Sequence, residues 1–308
     1  NNSSRNTVGG EDTSAMNVLG GNRIAINING SAGNDNVILC NNVGLAPSGR
    51  SAIGNEIGIL NTQTRNNTIG PGNRISGNDT GIKLFETHNT VIVGNSVGLG
   101  ATGLKALPNG VGLLILNAPN NQIGGNDPLD GNFFSGNTAA GALVMGQFAN
   151  GNDFLNNSFG LGTDGTTPVP NVGPSVEVSD RASFNRWGDY SAVGNTFFAG
   201  PNSPIVFLGG QGNDVLNPRF IFGANSTDLL IDLGGDGPTP NGPPGRTGPN
   251  DLINYPVPTG ASLIGDDILL SGTLEGQSPG LPLFLQVFSG PACNTSGESV
   301  GSGDIFTQ

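Results

Sequence analysis

Four residues within one short stretch have the types that proton abstraction beside a sugar carboxylate needs: Arg74, Lys83, Glu86 and His88. A carboxylate or neutral imidazole would act as the base that takes the proton, and the cations would neutralise the uronate. They fall on successive short segments, so the fold must turn the chain to bring them together. His88 is the only histidine; it sits in HNT, where a turn role is the favoured reading. Two carboxylate pairs have the composition of a glycoside-hydrolysing site, which needs two acids across one cleft. Asp127 and Asp130 in NDPLDGN lie among turn formers, which favours Asx turns. Glu177 and Asp180 in VEVSD read as one outward strand residue and one turn residue. The third chemistry is calcium binding. Asp228, Asp232 and Asp236 in DLLIDLGGDG are flanked by glycine, and oxygen ligands on a flexible turn suit Ca²⁺. Their spacing is neither that of an EF-hand nor of the RTX nonapeptide, and capping the end of the preceding structure is the competing role. No residue is assigned from the sequence as catalytic or cofactor-binding.

The elements that must position these groups are short. Packets such as GIKLF (81–85), VGLLIL (111–116) and ALVM (142–145) have strand length and are bounded by Gly and Asn, as in NRISGN (73–78) and NFFSGN (132–137). Gly and Asn tolerate the left-handed backbone of a sharp bend. No long face with helical period occurs. Charged residues make up 11% of the chain, against roughly 25% in average domains. The net charge of −12, with Lys83 and Lys105 the only lysines, opposes nucleic-acid binding, which needs basic stripes. No apolar run is long enough for a membrane span. Cys40, in the packet VILC, reads as a small buried apolar residue, and Cys293 lies too far away in sequence to indicate a disulfide framework.

Two markers repeat. Gly9, Gly70, Gly124 and Gly188 close an Ile/Val/Trp-Gly motif at separations of 61, 54 and 64 residues, and Gly44, Gly98 and Gly160 mark a Val/Phe-Gly-Leu motif at 54 and 62. A long, uneven period with insertions at one point is the pattern of a solenoid. About two coils per period predicts seven or eight coils over 1–234, with apolar side chains stacked inside and asparagines stacked in ladders at the bends. Phe133, Phe134, Phe197, Phe198, Phe207 and Trp187 are expected in the interior. The Gly/Pro-rich stretch 235–250 reads as a linker, and 251–308 as a small antiparallel β-sandwich-like module. At about 58 residues it is short of the roughly 100 of a full sandwich, so it is expected to be incomplete.

The stretches NTIGPGNRISGN, GNSVGLGATGLKALPNGVG, NQIGGN and IDLGGDGPTPN, followed by GPNDLINYPV, resemble bacterial secreted right-handed parallel β-helix repeat proteins. SGTLEGQSPGLPLFLQVFSGPACNTSG resembles the module that follows such helices. The resemblance covers nearly the whole chain and implies an all-β, right-handed parallel β-helix with a secreted or cell-surface location. It supplies no catalytic motif. Where relatives carry more Asp after DLGGDG, this chain reads NGPPGRTG, which weakens calcium binding there. The functional expectation is a non-enzymatic structural or adhesive protein of a bacterial surface or matrix, self-associating end to end into filaments. The alternatives are a polysaccharide-active β-helix enzyme (lyase, epimerase or glycosidase) and a glycan-binding module that uses loops 99–110 and 161–172.

Overall fold

The computed structural model describes residues 3–191, 193–223, 226 and 229–276. The chain winds through three parallel sheets of eight strands each, with strand order following every third strand in sequence. It is therefore a parallel β-helix of eight coils, as the repeats predict. The coils begin at Thr7, Val37, Thr68, Val91, Gln122, Asp153, Arg186 and Asp214, which stack in register along sheet 1. Sheets 1 and 2 are built from strands of two to four residues, and the six-residue strands, such as Thr80–Phe85, Val111–Leu116 and Ala140–Met145, lie in sheet 3. No helix among the described residues is long and apolar enough to cross a membrane.

Alternate side chains of each strand point inward and stack on their equivalents one coil away. Ile82, Leu113, Ala142 and Val176 form such a column in sheet 3, and all four are buried. From coil 5 onward the interior turns aromatic. Phe134, Phe159 and Phe197 stack at centroid distances of 5.4 and 5.0 Å, and Trp187 lies 5.2 Å from Phe154 in the next coil. Phe207 joins them in the interior, 5.5 Å from Trp187. Phe133 and Phe198 do not. Each is adjacent to an inward phenylalanine, and because alternation admits only one of two neighbours, they are half-exposed on the outer face. Cys40 also departs from expectation. The strand ends at Leu39, and Cys40 is half-buried at the bend beyond it with φ 51°.

Three asparagine ladders fix the corners. The ladder between sheets 1 and 2 runs Asn17, Asn41, Asn73, Asn95, Asn132, Asn157 and Asn195. Between sheets 2 and 3 it runs Asn22, Asn55, Asn78, Asn109, Asn137 and Asn171. The ladder ahead of sheet 1 includes Asn6, Asn36, Asn67, Asn121, Asn152, Asn185 and Asn213. In a typical rung, Asn152 Oδ1 accepts the Asn121 backbone N–H at 3.0 Å and its Nδ2 at 2.9 Å. The buried Asn121 amide is tolerated because its donors and acceptor are used: Nδ2 also donates to Ala118 O at 3.1 Å, and Oδ1 accepts the Thr90 N–H at 2.9 Å. Thr90 replaces asparagine in the fourth rung, and an inward asparagine compensates: Asn61 Nδ2 donates to Thr90 Oγ1 at 3.0 Å, and Asn67 Nδ2 turns to Asn61 and Thr64.

The two-coil period has a steric cause. At the corner after sheet 1, Gly9, Gly70, Gly124 and Gly188 occupy coils 1, 3, 5 and 7 with φ between 80° and 115°. A Cβ on any of them would lie within 1.9 Å of a carbonyl oxygen of the following coil, from Leu39, Val93, Leu155 and Leu216 respectively. Coils 2, 4 and 6 instead carry hairpin loops after sheet 2, closed by the bridges Leu45↔Ala52, Leu99↔Ala106 and Leu161↔Pro168. The loops stack on each other across the intervening coils, with Ala101 N donating to Gly49 O at 2.8 Å and Thr163 N to Gly103 O at 2.9 Å.

The segment after the last coil returns to the solenoid. Asn250 Oδ1 accepts the Asn213 N–H at 3.0 Å and its Nδ2 donates to Asn213 O at 2.7 Å, so Asn250 takes the next place in the ladder ahead of sheet 1. Beyond it, Val257–Ile264 and Asp267–Thr273 form an antiparallel pair. Residues 277–308, including Cys293, lie outside the described residues.

Candidate functional site

The corner between sheets 3 and 1 gathers part of the acid–base set. Glu86 and His88 are both exposed on the turn that follows strand Thr80–Phe85. Glu86 has φ 50° and its Oε2 accepts from Gln63 Nε2 at 2.9 Å. His88 pairs through its backbone with Arg65 of the preceding coil. Lys83 sits on the adjoining outer face of sheet 3, its Nζ 5.9 Å from the Phe85 ring centre. Arg74 is in sheet 2, on a different side of the solenoid. Glu86 and His88 thus share a corner with Arg65, which the sequence reading missed; only knowledge of the coil length places Arg65 under His88.

Asp127 and Asp130 lie in one turn, where Asp127 Oδ1 accepts Leu129 N–H at 2.9 Å. Glu177 points outward from strand Val176–Ser179, and Asp180 follows at the bend with φ 50°. Among the calcium candidates, Asp228 lies outside the described residues. Asp232 is largely buried, and its two oxygens accept Gly235 and Gly237 N–H at 3.1 Å each, bracing the glycine turn. Burial, opposed by those bonds, raises its pKa, and Asp236 nearby raises it further. Among the described residues no three His, Cys, Asp or Glu side chains come together.

Sheet 1 carries a charge column that sequence reading also missed. Asp153, Arg186 and Asp214 are stacked in register. Arg186 binds Asp153 with both forks, Nε to Oδ1 and Nη2 to Oδ2, each at 3.0 Å. Burial pushes the Asp214 carboxyl up, and Arg186 acts against that. The signal was present: each of the three follows a ladder asparagine, in NDF, NRW and NDV.

The same side of coils 5 and 6 exposes two aromatic rings, Phe148 (59%) and Phe184 (68%). Phe184 has φ 57° in a column whose other members include Asn120, Gly151 and Gly212. Left-handed backbone suits Asn and Gly but costs a bulky residue roughly 1–2 kcal/mol. The ring lies against Gly212, where a Cβ would stand 2.7 Å from Phe184 Cδ1. Its outer face is open to solvent.

In the third hairpin loop, Asp164 accepts the Thr166 and Thr167 backbone N–H groups and the Thr167 hydroxyl at 3.0, 2.9 and 2.6 Å. The Thr167 hydroxyl first, then the backbone bonds, hold its pKa down at about 2, from an ordinary 3.8. A depressed folded pKa stabilises the loop above the ordinary value, and the gain is lost as pH falls through about 2. Carboxyl-carbon NMR titration should therefore find the Asp164 midpoint near 2, and Thr167→Val should move it upward. A midpoint unchanged by Thr167→Val would show that the hydroxyl is not the cause.

Neither a family model nor a curated protein matches the chain. A solved structure, that of DFA-IIIase mutant C387A from Arthrobacter chlorophenolicus A6, is similar at 16% identity and a TM-score of 0.28. The similarity covers 70% of this chain and spans 60% of that one. A likeness this slight carries no argument about activity, and the functional reading rests on the geometry above.

Proposed function

We propose that this chain is a non-catalytic structural or adhesive protein that works outside the cell, on a bacterial surface or in its matrix. The observation that supports it is the set of three asparagine ladders running along the coils. They satisfy the buried corners and make a stiff body whose stability does not depend on side-chain chemistry at the outer surface. A surface or matrix polysaccharide is the proposed partner. The exposed rings of Phe148 and Phe184 are the groups that would lie against the apolar faces of sugar rings. End-to-end self-association belongs to the same proposal.

A polysaccharide-active enzyme is the second reading, favoured by Glu86 and His88 on one corner beside Arg65. One screen separates the two. Thermal unfolding is followed with neutral and acidic polysaccharides, and released reducing ends and unsaturated uronides are measured in parallel. The structural reading expects ligand-dependent stabilisation that is lost in Phe148→Ala/Phe184→Ala, with no product formed. Product formation abolished by His88→Ala would replace it with the enzyme. Electron microscopy over a concentration series tests end-to-end assembly: regular filaments support it, and separate short rods remove it.

A further inference from the structure

Over coils 3 to 6 the outer side of sheet 3 is largely apolar where a solitary chain would be polar. One outward column runs Lys83, Leu114, Leu143, Glu177 over coils 3 to 6, and the next runs Phe85, Leu116, Met145, Ser179. All eight are only half-buried by their own neighbours. A contiguous apolar patch marks an interaction surface. The turn at Gly235 reaches Leu208 and Val206 and bounds this face at coil 7, leaving coils 3 to 6 open among the described residues.

The pattern selects the occupant. Lys83 and Glu177 stand at equal distances from the midpoint between Leu114 and Leu143 and carry opposite charges. A half-turn about an axis lying in the face, parallel to the strands and passing between coils 4 and 5, turns the face onto itself. Lys83 then meets Glu177 of a second copy, and Leu114 meets Leu143. In the adjacent column the large Phe85 meets the small Ser179, and Leu116 meets Met145. A half-turn about an axis along the coils would set Lys83 against Lys83 instead. Neither Lys83 nor Glu177 is in the ion pair found among the described residues, which joins Arg186 and Asp153. We infer that sheet 3 is the interface of a two-fold homodimer whose copies pack face to face with their coil axes antiparallel.

The matched face is limited to coils 3 to 6. A six-residue strand spans about 20 Å and four coils about 14 Å. That gives about 300 Å² per copy, below the roughly 1,000 Å² total of stable interfaces, so the dimer is expected to be weak and reversible. Burial already raises the Glu177 carboxyl pKa in the single chain, and a facing Lys83 would draw it down.

Sedimentation equilibrium of the full chain up to about 100 μM, a range that reads micromolar affinities, tests the inference. The wild type is expected to dimerise. Lys83→Glu and Glu177→Lys should each weaken the dimer about tenfold or more, while the double exchange restores it to within about threefold, because each contact again joins opposite charges. Circular dichroism verifies that each variant is folded. Should a single reversal unfold the chain, Lys83→Cys/Glu177→Cys reads the same contact. With copper–phenanthroline and oxygen as oxidant it should give a disulfide-linked dimer in far higher yield than the wild type. A wild type that stays monomeric overturns the inference. So do single reversals without effect, or a double exchange that fails to rescue.

Discussion

Asn157→Ala should destabilise the protein by about 4 kcal/mol, since each buried partner left unsatisfied costs roughly 1–3 kcal/mol and the losses are only partly additive. Asn157 Oδ1 accepts the Asn132 backbone N–H at 3.1 Å and its Nδ2 at 2.9 Å. Its own Nδ2 donates to Ile123 O at 2.8 Å and to Asn195 Oδ1 at 3.0 Å. Alanine removes all four bonds at once, in a position 1% exposed, where water cannot replace them. The loss is comparable to the whole stability of many domains, about 5–15 kcal/mol. Asn27 is the control: it is exposed, and Asn27→Ala should stay within about 0.5 kcal/mol of wild type. Urea unfolding measures both. If the two variants unfold alike, the ladders are ornament rather than structure.

Gly124→Ala should be nearly as damaging, for a different reason. Gly124 has φ 80°, and a Cβ there would lie 1.9 Å from Leu155 O and 2.9 Å from Asn157 Oδ1. The left-handed backbone alone costs about 1–2 kcal/mol with a side chain. The clash is with backbone of the next coil, so the coils must separate locally, and the total should exceed about 3 kcal/mol or prevent folding. Gly165→Ala separates the two terms. Gly165 has φ 69° and nothing within 4 Å of the added atom, so it should lose only the conformational part. Equal losses at the two positions, measured by thermal unfolding, would mean that the close approach of coils at Gly124 is relieved at no cost.

What the sequence disclosed was the part governed by short-range rules. Gly-Asn after an apolar packet means a bend with a polar side chain at its inside edge, and the ladders through Asn95, Asn137 and Asn195 follow from repeating it. The spacing of Gly70 and Gly124 disclosed the pairing of coils, because one glycine is needed under each close carbonyl. What stayed hidden depends on which residues lie over each other. Phe133 and Phe134 look alike in sequence, yet alternation sends one in and one out. Asn61 reads as a surface residue until Thr90 is known to interrupt the ladder above it. The column Asp153, Arg186 and Asp214, the pairing of Arg65 with His88 and the outer face of sheet 3 all require the length of each coil. Hairpin loops change that length from coil to coil, so no fixed period in the sequence lines these residues up.

The alternation of glycine corners with looped coils sets a rule for editing the molecule. The smallest exchangeable piece is a pair of coils rather than one coil. Excising 68–121 joins Asn67 to Gln122 and sets Gly124 in the place of Gly70, so the ladder asparagine, the glycine corner and the next loop all reappear in order. Removing a single coil would instead put two looped coils, or two glycine corners, in succession. Lengthening or shortening this protein, by design or by gene duplication, is therefore expected to proceed in even numbers of coils.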